Sequence, residues 1–85
     1  MPFVIDLVAD KPCKSVSVST ILMTGSSFVE INREKPSLLC DSSLIDCISQ
    51  RLASLPVGPS YVCCRTDMPE FQLYIEKARQ ILDRE

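Results

Sequence analysis

The sequence predicts an α+β domain, an antiparallel β-sheet meander covered by two α-helices, with its elements in the order β-β-β-α-β-α. Three observations point to this. Up to Asn32 the chain alternates apolar and polar positions in short stretches, the two-residue period of half-buried strands. From Leu44 to Leu55, and again from Phe71 to Leu82, apolar residues recur at spacings of three and four, as in a helix lying on a core. Turn chemistry separates these stretches, and nothing suggests a repeat or a domain boundary.

The first stretch, Phe3 to Ala9, sets Phe3, Ile5 and Leu7 against Val4, Asp6 and Val8 until Asp10-Lys11-Pro12 breaks it. Lys14 to Met23 alternates more cleanly. Val16, Val18, Thr20 and Leu22 face one way, and Ser15, Ser17, Ser19 and Ile21 the other, so a long antiparallel strand with one wet face is expected. Thr24-Gly25-Ser26-Ser27 has turn composition, and Phe28 to Asn32 returns as a strand. Arg33-Glu34-Lys35-Pro36 is a charged connector. Ser37 to Cys40 reads as a short edge strand or the lip of a loop.

Asp41-Ser42-Ser43 offers helix caps, and Ser43 in that role sets Asp46 against the unpaired amides of the first turn. Leu44, Ile45, Cys47, Ile48, Leu52 and Leu55 then form one stripe, opposite Asp46, Ser49, Gln50 and Ala53. Pro56 and Val57-Gly58-Pro59 end the helix. Ser60 to Thr66, apolar on both faces, reads as an interior strand. At Asp67-Met68-Pro69-Glu70 the aspartate can cap the Glu70 amide, and Pro69 fits a first helical turn, where its missing N–H costs little. Phe71, Tyr74, Ile75, Ala78, Ile81 and Leu82 form the second buried stripe, with Leu73 on the far side among Glu76, Lys77 and Gln80.

At 85 residues the chain is expected to form one domain at most. A chain of this size buries only roughly 60–65% of the surface it exposes unfolded. Because 46% of its residues are apolar, some of that surface is expected to meet a partner, which favours an oligomer. Net charge is −2, and the nine Lys and Arg residues are scattered, so no stripe follows a phosphate backbone and nucleic acid is not an expected partner. Apolar runs such as Ile21-Leu22-Met23 are far shorter than the ~20 residues of a membrane-spanning helix. The N-terminus lacks the pattern of a secretory signal. The expected location is the cytosol, with the nucleus also open. Five cysteines, Cys13, Cys40, Cys47, Cys63 and Cys64, make an odd number, which favours reduced thiols over a disulfide framework. None has chelating spacing, so no metal site is expected.

The residues suggest no catalytic centre and no cofactor. Histidine is absent, which removes Ser-His and Cys-His nucleophile arrangements. Thr24-Gly25-Ser26-Ser27 lacks the Gly-Lys-Ser/Thr of a phosphate loop and is read as a turn. Cys63 and Cys64 point to opposite faces of a strand, with only Arg65 close in sequence to activate a thiol. Asp41, Asp46, Asp67 and Glu70 are accounted for by helix starts. Leu73 remains, an apolar residue on a polar helix face that suits a partner contact.

The order of strands, then Ser37-Leu38-Leu39, the helix LIDCISQRLASL, the strand SYVCCRT, an aspartate and the helix FQLYIEKARQIL resembles the third and fourth of the proteasome assembly chaperones, over residues 16–82. Cys40 stands in place of a corner glycine, and the N-terminal sheet is a hairpin shorter. The resemblance implies a non-catalytic protein that pairs with a related small chaperone subunit as a heterodimer. That pair would bind proteasome α-subunits during α-ring assembly and leave as the particle matures. It assigns no interface residue. From position alone, Leu73, Lys77 and Gln80 are the candidate partner contacts. Two other classes fit less well: a small adaptor or structural subunit of a profilin-like or trafficking complex, and an enzyme with a cysteine nucleophile, which the missing histidine disfavours.

Overall fold

A computed structural model describes residues 2–10, 15–36 and 41–83. It is α+β, with a four-stranded mixed sheet and two helices. The expected Lys11-Pro12 break and the Ser37–Cys40 segment lie outside the described residues, as do the side chains of Cys13, Cys40 and Asp41.

Strands β1 (Phe3–Asp10) and β2 (Ser15–Thr24) pair antiparallel, from Phe3 opposite Leu22 to Asp10 opposite Ser15. This register places Ile5 beside Thr20 and Leu7 beside Val18, so both strands offer their branched residues to one face. A tight turn follows, with Gly25 at φ +59°, in the left-handed region where a side chain is strained. Strand β3 (Ser27–Glu34) then pairs antiparallel with β2, with a bulge beside Thr20 and Ile21.

Helix α1 (Asp41–Ser54) turns the chain back, so that β4 (Cys63–Thr66) runs in the direction of β3. β4 docks on the free side of β1, giving the order β3-β2-β1-β4 with β1 and β4 parallel. Two expectations are corrected here. The sheet is mixed rather than a purely antiparallel meander, because a single helical crossover restores strand direction. β4 is an edge strand rather than an interior one, and Cys63 on it is exposed. The predicted strand also begins late: Pro59–Tyr61 forms a 3-10 turn, in which the Tyr61 amide donates to Gly58 O (2.9 Å) and the Val62 amide to Pro59 O (3.3 Å).

The helix starts differ from expectation as well. α1 already includes Ser42 and Ser43, so Ser43 is not its cap. α2 (Phe71–Asp83) begins after Pro69, which lies in the preceding turn rather than in the first helical turn. There the Met68 amide donates to Thr66 Oγ1 at 3.1 Å, and the Phe71 amide to Met68 O at 3.0 Å. Thr66, not Asp67, supplies the side-chain bond, because a Ser or Thr hydroxyl can satisfy an amide two residues on.

Both helices lie on the face that carries Phe3, Ile5, Leu7, Val16 and Val18, and there they pack Leu44, Cys47, Ile48, Leu52, Phe71, Ile75 and Ala78 into one core with Val62. Each stripe has one misplaced residue. Ser49, assigned to the wet side of α1, is buried and donates its hydroxyl to Ile45 O at 2.8 Å, which satisfies it locally. Ile81, assigned to the buried stripe of α2, is 40% exposed near the end of its helix.

Candidate partner-binding surface

Arg79 sets how α2 sits against the sheet edge. Its guanidinium donates to Pro59 O (2.5 Å) and Val62 O (2.7 Å), and its Nη2 also lies 3.5 Å from Cys64 Sγ. α2 is thereby fastened to the 3-10 turn and to β4. Its outer side carries Leu73, Lys77 and Gln80, one turn apart and all exposed, so the three predicted contacts share one face, with Ile81 beside them.

The second region is the sheet face away from the helices, where Val4 and Ser19 are nonetheless buried and Ile21 and Met23 half-buried. Cys63, Val4 and Ile21 stand side by side across β4, β1 and β2, and Met23 faces Phe28 at the same end. The next row is charged: Arg65 pairs with Asp6 at 3.3 Å, Asp6 neighbours Ser19, and Ser19 neighbours Arg33, which pairs with Glu30 at 2.8 Å. The Ser19 hydroxyl, and after it Arg33, hold the Glu30 carboxyl below the ordinary carboxylate range. Exposed ion pairs of this kind add little stability. They rim an apolar corner with matched charges.

On the helix side the cover also stops short of β3. Val29 lies opposite Leu22, yet it is 48% exposed; Ile31 on the same strand is 51% exposed, and Phe28, on the far face beside Met23, is 63% exposed. Sequence reasoning did not single out Phe28, Val29 and Ile31. The signal was present, since this strand, unlike the stretch containing Ser15, Ser17 and Ser19, has no run of small polar residues on either face.

Two clefts of about 510 and 520 Å³ open at the surface. Val8, Ser15, Ser17, Arg33 and Lys35 contribute to the first, and Glu34, Asp46, Cys47 and Gln50 to the second. In the second, the Cys47 thiol donates to Glu34 Oε2 at 3.4 Å, and burial first, then this bond, pushes its pKa up to about 12. Burial also raises Cys64, against the pull of Arg79. A thiolate at either position is disfavoured, the reverse of what a nucleophile needs. Among the described residues no group of three or more Cys, Asp or Glu could hold a metal ion, and no helix is long and apolar enough to cross a membrane.

The chain matches no family model, no curated protein and no solved structure. Its surface is therefore the basis for any functional reading.

Thiol chemistry offers a direct check of this geometry. In native protein at neutral pH, alkylation followed by peptide mass spectrometry is expected to modify the exposed Cys63 before Cys64, and Cys47 last. A pKa near 12 against the usual 9.0 leaves Cys47 about a thousandfold less thiolate, before burial restricts access. The folded-state pKa is raised, so the stability that Cys47 contributes is complete below pH 9 and is lost as pH rises toward 12. Rapid labelling of Cys47 at neutral pH would contradict its burial on the inner face of α1.

Proposed function

We propose that this chain is a non-catalytic assembly chaperone that pairs with a related small chaperone subunit and, in that pair, binds proteasome α-subunits during α-ring assembly. One observation carries the reading. Val8, Phe28, Val29, Ile31, Tyr61, Leu73 and Ile81 remain 40–80% exposed in an 85-residue chain whose core is already filled by both helices. Covering apolar surface of this kind is the main favourable contribution to protein association. Two separate regions, the β3 end of the sheet and the outer face of α2, suit a subunit that holds two neighbours at once.

Such a chaperone binds an incomplete ring more tightly than the finished particle, and the difference in affinity drives its release. Affinity capture of the tagged protein is expected to recover free α-subunits and a related small subunit, with mature particles depleted. Equal recovery of free subunits and mature particles would overturn the assembly role. Within that experiment, Leu73→Asp is expected to reduce α-subunit recovery about tenfold or more, since a charge placed in an apolar contact must be desolvated. The exposed position predicts an unchanged melting temperature. A folded Leu73→Asp protein with an unchanged set of partners would remove Leu73, Lys77 and Gln80 from the interface.

A further inference from the structure

Three buried polar atoms among the described residues have no hydrogen-bond partner: Thr20 Oγ1, Asn32 Oδ1 and Arg51 Nε. Two of them belong to register partners of the β2–β3 ladder, and the third is brought to the same face of β3 by its contact with Glu34. Thr20 and Asn32 are register partners across β2 and β3, and Thr20, 2% exposed, lies on the helix-facing side between Val18 and Leu22. Glu34 is the next residue along that face of β3, and Arg51 reaches it from α1 with Nε 3.1 Å from Glu34 Oε1. That distance gives charge attraction, but the N–H is not aimed at the carboxylate, so the donor is left over. The bulge beside Thr20 and Ile21 distorts the ladder at this rung, where a regular pair would bring the two side chains closest.

We propose that these atoms form an internal hydration site, in which an ordered water molecule joins α1 to the β2–β3 hairpin. The donor and acceptor inventory matches. Arg51 Nε can only donate, Asn32 Oδ1 can only accept, and the Thr20 hydroxyl can do either. A water that accepts from Arg51, donates to Asn32 and shares a bond with Thr20 makes three hydrogen bonds, the usual number for a buried water. A cation is disfavoured by the guanidinium, and an anion by Asn32 Oδ1 and the neighbouring Glu34 carboxylate. A neutral molecule that both donates and accepts answers all three groups. The seam is then held by a polar bridge where apolar cover runs out, next to the exposed Val29 and Ile31.

A crystal structure of the intact chain at about 1.5 Å or better tests this. A water within hydrogen-bond distance of Thr20 Oγ1, Asn32 Oδ1 and Arg51 Nε is expected, and a direct Thr20–Asn32 hydrogen bond, a dry contact, or a water that does not reach Arg51 would overturn the site. Thermal melting gives an independent readout with opposite signs. If water bridges the hydroxyl, Thr20→Val strands the remaining partners and lowers the Tm by about 4–8 °C, whereas Thr20→Ser retains most of it. If the hydroxyl is an orphan, the same valine raises the Tm and the proposal fails.

Discussion

Replacing Ile5 with alanine is expected to destabilise the fold by about 2–5 kcal/mol. Ile5 is fully buried on β1, one of the two interior strands, opposite Thr20 on β2 and Cys64 on β4. A domain of this length has a total stability of only about 4–13 kcal/mol, so the variant should lose a large share of it. The Tm should fall by about 10–30 °C in a thermal melt. Ile5→Val, which removes one methylene, should cost about 0.5–1.5 kcal/mol. Gln50→Ala, at an exposed site on α1, should stay within about 0.5 kcal/mol. A loss below about 1 kcal/mol for Ile5→Ala would mean that the helices do not close over β1 as described.

The second large effect concerns Arg79. Its guanidinium reaches Pro59 O and Val62 O, so Arg79→Ala removes a charged donor from each and leaves Pro59 O with the Val62 amide alone, at a partly buried site. A cost of about 2–4 kcal/mol is expected, taking hydrogen bonds to a charged group at about 1.5–3 kcal/mol each and allowing water to replace part of them. Arg79→Lys should recover less than half of the loss, because an ammonium is a point donor and lacks the planar fork that spans two carbonyls. Urea unfolding separates the cases, and hydrogen exchange should show loosened amides at Tyr61 and Val62. Equal stability of the lysine variant and the wild type would show that one of the two bonds is dispensable.

Period-two and period-3.6 patterning made the α+β class, both helices and most of the inward-facing residues legible in the sequence. Phe3, Ile5, Leu7, Val16 and Val18 share a face because the pleat alternates, whatever lies next to them. What could not be read was which strand pairs with which. The stretch around Cys63 and Cys64 is apolar on both sides, as in an interior strand, but only Val62 and Cys64 meet the core. Its edge position follows from a crossover, a non-local property that no short window contains. The helix starts failed for a different reason. Several Ser, Thr and Asp residues compete within a few positions, so local chemistry limits the cap to a neighbourhood and backbone geometry makes the choice between Thr66 and Asp67. For the surface, Leu73 could be placed by helical period, whereas the exposure of Val29 depends on how far the helices reach across the sheet.

The parallel pairing of Val4 with Cys63 also bears on how the chain is made. β1 precedes β2 and β4 in the chain, and β2 can zip to it at once. Its other flank stays bare until β4, which follows β2, β3 and α1, has been synthesised. During that interval the unfilled side of β1 is open to mispairing with neighbouring nascent chains. Acquisition of the native sheet is therefore expected to be slow and to await synthesis of β4, as loop-closure entropy requires of contacts far apart in the chain.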